Sequence, residues 1–244
     1  MYEKMVTLVD TMGTDLTIVN SARVSFNKES DWDYGDKTVK TSYDWENGGD
    51  TITEKEKILK DSDVKLINYL ANHGHWTPFS QCQIQLRIKM PIFVARQWFK
   101  HMVGFTRNEV SRRYVDYEPE FFIPNYWRKR PDKSKKQGSS DDLICMIDNK
   151  SISVEYQNLI DSMSDAYNSF IENGVAPEQA RMLLPQSMMT EFVETGSLSA
   201  YARLYKLRIE KSAQLEIQEY ANEIGKIMEK QFPNGWKALT QNQG

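Results

Sequence analysis

In the eleven residues SQCQIQLRIKM (80–90), Cys82, Ile84, Leu86, Ile88 and Met90 alternate with Gln81, Gln83, Gln85, Arg87 and Lys89. No other stretch restricts the fold as much. A period of two sends the first set to one face of a strand and the second set to the other. A strand with one apolar face needs a covering layer, so the sheet it joins must pack against helices or a second sheet. Pro91 follows at once, and its fixed φ and missing N–H suit the first position of a helix, PIFVARQWFKHM (91–102).

The rest of the chain supplies that layer without a regular strand–helix alternation. MVTLV (5–9) suits a strand, and Thr14 or Asp15 can cap a helix that turns Leu16, Val19 and Ala22 inward. Residues 27–50 are polar and aperiodic, which predicts mostly loop. From Thr53 to Asn72 the spacing of Ile58, Leu59, Leu66, Ile67 and Leu70 predicts helix in two pieces, broken near Asp61. NHGHWTPF (72–79) reads as a turn, and a second insertion-like stretch covers 128–150. An amphipathic helix is expected over 152–172, closed by Asn173-Gly174, and a short one between Pro177 and Pro185. QSMMTEFVET (186–195) reads as a strand, with Ser197 and Ser212 as N-caps of helices over 198–209 and 213–230. The expected class is α+β: a mixed or antiparallel sheet packed with helices, one main domain over 1–244.

Composition narrows the function classes. The formal charge is −3, from 31 Lys/Arg against 34 Asp/Glu, but its distribution is uneven. Residues 1–80 hold nine basic and fourteen acidic side chains, whereas 87–130 hold ten and four. Such asymmetry fits a local site for a small anion better than general polyanion binding, so no stable nucleic-acid partner is expected. The basic run at 128–136 is expected to be a solvated loop. No apolar run is long enough for a membrane span, and MYEKMVTLVDTMG lacks a secretory apolar core. Two cysteines, Cys82 and Cys145, give neither a disulfide framework nor a metal-ligand spacing. The expectation is a cytoplasmic protein.

RQWFKHMVGFTRNEVSRRY (96–114) gathers five basic residues, Arg96, Lys100, Arg107, Arg112 and Arg113, around His101 and Glu109. A serine hydroxyl, loop N–H groups and a guanidinium fork, as in Ser111-Arg112-Arg113, can hold a phosphate monoester. Asn108 and Gln97 can pair with a ring edge, and Glu109 can accept from a ring N–H or a ribose hydroxyl. These parts suit a nucleotide. They equally suit surface ion pairs on a solvated loop, the usual fate of such residues.

The stretch resembles the signature of the flavin-dependent thymidylate synthases, Arg-His-Arg, seven residues, then Ser, within RQWxRHR…NExSxRY. Lys100 and Met102 stand at the two arginine positions, and eight residues rather than seven separate Met102 from Ser111. SARVSF (21–26), HGHWTPF (73–79), MPIFVARQW (90–98), PEQARMLLP (177–185) and LYKLRIEKSAQLEIQEYA (204–221) resemble further blocks of that family in the same order.

The resemblance implies reductive methylation of dUMP to dTMP, with methylenetetrahydrofolate as carbon donor and FAD reduced by NADPH as hydride source. It also implies a homotetramer with sites shared between subunits. By matching positions, Gln97, Lys100, Glu109, Val110, Ser111, Arg112, Arg113 and Arg181 hold dUMP. Arg208 binds the same substrate and is the catalytic residue, offsetting charge that builds on the uracil. For FAD the matches are His75, Thr77, Lys100, His101, Met102, Asn108 and Glu109. Ser197, Ser199 and Arg203 stand where the family's last flavin-binding segment has Asn, Arg and Asn, and Arg203 is a candidate replacement for the charge absent at Met102. Neither cysteine has an evident activating neighbour. Two rival expectations are a non-catalytic nucleotide or RNA binder on this scaffold and an FAD/NADPH oxidase that no longer methylates.

Overall fold

The structure, a computed structural model, describes residues 5–43, 51–115, 117–132 and 138–241. In chain order the first elements are β1 (Val6–Met12), α1 (Asp15–Arg23), β2 (Asp33–Tyr43), β3 (Thr51–Ile58), α2 (Asp61–Asn72) and α3 (Thr77–Ser80). Next come β4 (Gln83–Pro91), α4 (Ile92–Trp98), β5 (Phe105–Glu109), β6 (Trp127–Arg128), β7 (Leu143–Ile144), β8 (Met146–Ile147) and β9 (Lys150–Ser151). The chain ends with α5 (Ile152–Glu172), α6 (Pro177–Ala180), β10 (Met189–Ser197), α7 (Leu198–Arg208), α8 (Leu215–Gln231) and α9 (Pro233–Gln241). Contacts divide it into two units. Met1–Asp10, Ile84–Gly196 and Arg203–Gly225 make the first, and Thr11–Gln83, Ser197–Ala202 and Lys226–Gly244 the second.

The first unit is built on a four-stranded sheet in the order β1–β4–β10–β5. The alternation in β4 does what its period demands: Ile84, Leu86, Ile88 and Met90 are fully buried. Its other face is tied by side chains to β10, Gln85 donating to Thr195 Oγ1 at 3.1 Å and Arg87 pairing with Glu191. β10 alternates as well, with Thr190, Phe192 and Glu194 on the buried side. On its other edge β10 runs antiparallel to β5, placing Phe192 opposite Glu109 and Glu194 opposite Arg107. The α+β class with an antiparallel sheet is therefore the observed one.

The second unit contains the β2–β3 arm and helices α1, α2, α3 and α9. Asp61 and Asp63 sit in the first turn of α2, where the helix dipole favours acids. Asp63 is fully buried, and its carboxylate accepts from Arg23 and Ser30. Asp15 of α1 reaches α9: Oδ2 accepts from the Asn234 backbone N–H at 2.7 Å and Oδ1 from that of Gly235 at 2.9 Å. Two of the N–H groups that a helix start leaves open are thus satisfied by a neighbouring helix. Gly235 is required by closeness, since a Cβ there would stand 2.6 Å from Ile18 Cδ1 and 3.0 Å from the Asp15 carboxylate.

Several expectations need correction. Residues 33–43, expected as loop, are strand β2, while 44–50 of that stretch lie outside the described residues. Thr51–Ile58 is strand β3 and not the first piece of a helix. Its Glu and Lys residues favour helix, but pairing with β2 overrides propensity. Pro91 is the N-cap of α4 rather than its first residue, and α4 ends at Trp98, short of Met102. Phe105–Glu109, expected within a loop, is strand β5. The second insertion carries the two-stranded pairs β6–β7 and β8–β9, and its residues 133–137 lie outside the described set. The last long helix starts at Leu215 rather than after Ser212, and α9 follows it, unforeseen. Ser197 does cap α7, its Oγ accepting from the Ala200 N–H at 3.3 Å. Among the described residues no helix is long and apolar enough to cross a membrane.

Asp15→Ala removes acceptors that only a carboxylate from α1 supplies to α9. The expected outcome in urea unfolding is a loss of about 2 kcal/mol, with Asp15→Asn, which keeps one acceptor oxygen, losing less.

Candidate active site

The stretch 96–114 folds as a helix end, a tight turn and a strand. After α4, the N–H of Lys100 donates to Gln97 O at 3.3 Å and that of His101 to Trp98 O at 3.1 Å, which winds the chain once more without extending the helix. Phe105 N–H then donates to Met102 O at 3.2 Å, closing a four-residue turn. Its third residue, Gly104, has φ +81°, a conformation that side chains resist. Lys100 and Met102 are thereby presented to solvent, Met102 with 74% of its surface exposed.

His101 faces the end of α7. Arg208 donates from Nε to His101 Nε2 at 2.9 Å and from Nη2 to the Gln97 carbonyl at 3.4 Å. A donor on Nε2 means the imidazole accepts there, so it is neutral with its proton on Nδ1. Burial, then the positive charges of Arg208, Arg107 and Arg203, hold its pKa down at about 4 against an ordinary 6.5. Burial also pulls the Arg208 guanidinium below its ordinary value, although arginine stays charged throughout the working range. One turn earlier on α7, Arg203 donates to the Val103 carbonyl at 2.8 Å, beside Met102. The Gln97 side-chain amide donates to Gln214 Oε1.

The expected nucleotide residues divide by what they already hold. Asn108, Glu109, Val110 and Arg112 line a cavity of about 620 Å³ on the sheet, together with Arg87, Lys89 and Thr190. Glu109 accepts from Thr190 Oγ1 at 2.6 Å. Arg112 is only 6% exposed, and its guanidinium donates to the Tyr117 and Glu118 carbonyls while stacking on the Tyr117 ring at 4.3 Å. It braces its own loop. Ser111 Oγ accepts from the Arg113 N–H at 3.3 Å. Arg113 and Arg181 meet at residue 178, Arg113 through the Glu178 carboxylate at 3.5 Å and Arg181 through its carbonyl at 3.3 Å. Both guanidiniums are exposed, and each is bonded to Glu178.

In the second unit, Thr77 lies in the wall of a hydroxyl- and amide-rich cavity of about 610 Å³ with Thr14, Thr17, Asn20, Ser21 and Gln81. His75 belongs to an exposed ring stack, 6.2 Å from Tyr69, with His73 4.1 Å from the same ring. Ser197 and Ser199 are buried, and their hydroxyls lie 3.2 Å apart, with Ser80 Oγ 2.6 Å from Ser199. Both hydroxyls already have partners within the protein. Burial, then the nearby Asp15 charge, pushes the Cys82 thiol up to about 12, the opposite of an activated nucleophile. Among the described residues no three His, Cys, Asp or Glu side chains form a metal cage.

Gln214, Thr190, Arg107 and Glu194 were not among the expected site residues. Gln214 and Thr190 carry no sequence signal of a partner. Glu194 did carry one: it shares the inward parity of Thr190 and Phe192, and an acid on a buried face needs donors.

The sequence matches the family described as Thymidylate synthase complementing protein over residues 7–234. The flavin-dependent thymidylate synthase of Thermus thermophilus is 33% identical over 237 residues, 97% of this chain and 76% of that one. That of Thermosipho africanus is 36% identical over 236 residues, 95% of this chain and 89% of the other. In fold the chain is similar to the crystal structure of a UMP/dUMP methylase, PolB, from Streptomyces cacaoi bound with 5-Br dUMP. The TM-score is 0.73 at 24% identity, covering 96% of this chain and 93% of that one.

His101 is expected to stay neutral through pH 5–8 in an NMR titration of its imidazole, charging near pH 4. Because its folded pKa lies below the 6.5 of the unfolded chain, its protonation opposes folding. That contribution to stability is present above pH 6.5 and is lost as pH falls toward 4. Arg208→Ala removes the second-largest cause of the depression and is expected to raise the His101 pKa.

Proposed function

Because the chain belongs to the flavin-dependent thymidylate synthase family, we propose that it converts dUMP to dTMP by reductive methylation. Methylenetetrahydrofolate is the carbon donor and NADPH the hydride source, with FAD between them. The observation that carries this reading is Arg208, a guanidinium gripped at two of its nitrogens by a neutral His101 and the Gln97 carbonyl, inside the family signature.

Joining carbon to C5 of uracil asks the pyrimidine to act as an enolate-like nucleophile, so negative charge develops on N3 and O2. A guanidinium already fixed in place stabilises that charge without reorganising. His101 helps by being neutral: it accepts from Arg208 and adds no competing cation. Gln97, anchored by Gln214, offers an amide edge to the ring, and Glu109 an acceptor. Arg113 and Arg181 hold the phosphate, with Ser111 beside them and the Val110 backbone completing the loop. Arg112 contributes by keeping that loop in shape.

The residues present fit a flavin cofactor. Lys100 and Arg203 supply cationic donors for a pyrophosphate, while His101, Asn108 and Glu109 supply ring partners. In the second unit, taken by itself, Thr77 with the hydroxyl-lined cavity around it and the exposed His75 ring offer hydrogen bonds and a stacking face. Met102 contributes packing alone, and Arg203, bound to the next carbonyl along, takes over the charge it lacks. Ser197 and Ser199 fall outside this set. The chemistry a bound flavin would supply here is hydride transfer between the nicotinamide and the carbon being reduced. The family further suggests a cytoplasmic homotetramer with sites shared between subunits.

The first test is the visible spectrum of the purified protein with FAD, before and after dUMP, followed by NADPH-dependent dTMP formation. A flavin spectrum that shifts with dUMP supports one site for both. A protein that stays colourless with FAD supplied favours the non-catalytic nucleotide binder, and NADPH consumption that ignores dUMP favours the oxidase. Arg208→Ala is expected to keep fold and flavin while dTMP formation is lost; retained turnover would remove the role assigned to it. Arg203→Ala is expected to weaken FAD binding about tenfold or more, the effect of losing a charged hydrogen bond. Unchanged FAD affinity would dismiss the compensation for Met102.

A further inference from the structure

Between Met102 and Ser111 the chain has one residue more than the family motif, a span that takes in strand β5 and the end of the loop that carries Lys100, His101 and Met102. The two ends of that loop are joined through a single buried group. Glu194 of β10 has no exposed surface, and its carboxylate accepts from the Trp98 indole N–H at 3.2 and 3.3 Å and from Arg107 Nε. Trp98 is the last residue of α4, just before the loop, and Arg107 lies on β5, just after it. Arg107 is itself confined: its guanidinium lies over the Phe99 ring at 5.3 Å and the Phe105 ring at 4.8 Å. Phe99 in turn meets Phe192 edge-on at 4.9 Å. Arg107 Nη2 is buried without a hydrogen-bond partner, so the guanidinium is held there by its pair and its ring neighbours rather than by full satisfaction.

We propose that the buried Glu194–Arg107 pair, with Trp98, is a positioning clamp that fixes the loop bearing Lys100, His101 and Met102. Neither Glu194 nor Arg107 touches a ligand in this scheme; both act through the loop. The choice of a buried ion pair over apolar side chains follows from what each specifies. An apolar patch of similar volume would be about as stable, but it would admit several loop placements, whereas a carboxylate between one indole and one guanidinium admits one. The link to flavin binding rests on the proposed function; the clamp itself does not.

The test is the double variant Arg107→Met/Glu194→Met. It removes a net-neutral pair, fills the space with apolar groups and is expected to melt close to the unchanged protein. Isotope-labelled histidine gives the readout, since the chain has three histidines to assign and the His101 pKa is held down at about 4. A fixed loop keeps His101 half-buried. With the clamp gone, its pKa is expected to climb by about a unit or more toward the ordinary value as water reaches it. A folded double variant whose His101 still titrates at about 4 overturns the proposal.

Because the double variant also removes Arg107, one of the charges that hold the His101 pKa down, a rise there is not enough by itself, and Glu194→Gln decides in either case. It keeps the side-chain volume and the positive charge of Arg107, so electrostatics alone would lower the His101 pKa further, while a loosened loop raises it. A rise supports the clamp, and a fall or no change overturns it. FAD affinity is measured on the same samples, with about a tenfold loss expected for a misplaced loop. If the unchanged protein takes up no FAD, the proposed function falls while the His101 titration still decides the clamp.

Discussion

A carboxylate without water must find donors, and in the first unit that requirement falls on Glu194. It stands on β10, the strand between β4 and β5, and is directly opposite Arg107 in the ladder. Removing a charge from water costs several kcal/mol unless partners replace the hydration. Trp98 and Arg107 do so, one from each side of the turn that bears His101. The burial that makes this pair costly also makes it specific, because the carboxylate is closed to solvent and the guanidinium nearly so. From that point outward the chain grows more exposed: Trp98 is buried, Phe99 and His101 are half-buried, and Lys100 and Met102 reach solvent.

The positive charges that mark the sequence between 96 and 114 do not act as one patch. Arg107 is spent on a buried acid, Arg112 on the carbonyls of its own loop, and Arg113 on an exposed pairing with Glu178. Only the last is open enough to exchange its partner for a phosphate at little cost, since an exposed ion pair contributes at most about 1 kcal/mol. Charge density in a sequence therefore overstates the charge available to a ligand. What remains is Arg96 and Lys100, both exposed, joined from afar by Arg203 and Arg208 on α7 and Arg181 after α6.

Where one face of an element is buried, the sequence makes it readable. β4 and β10 alternate because a sheet face is covered, and α5 shows its helical spacing for the same reason. The β2–β3 arm pairs mainly with itself, and the Glu and Lys residues of β3 favour helix by propensity. β5 escapes notice differently: FTRNE is five residues long, with polar residues on both faces, and it becomes a strand because β10 offers an edge. α9 begins FPNGW, a turn-like sequence, and is a helix partly because Asp15, far away in the chain, accepts from its first N–H groups. At the candidate site, motif matching picks out the residues of the family signature. It passes over Gln214 and Glu194, whose importance depends on which side chain they meet.

The two departures from the signature, Lys100 and Met102, weigh differently once placed in space. Lys100 keeps a positive charge at an exposed position and loses only the planar fork. Met102 loses the charge, yet the guanidinium of Arg203 sits 2.8 Å from the carbonyl of the very next residue. Electrostatic attraction for an anion depends on where a charge is and how well it is desolvated, not on which segment supplies it. Arg203 has a further property that a loop arginine lacks. It projects from α7, one turn before Arg208, so the same helix sets both charges and any shift of α7 would move them together. A cation carried on a helix keeps a more fixed distance to the neighbouring guanidinium than one carried on a loop.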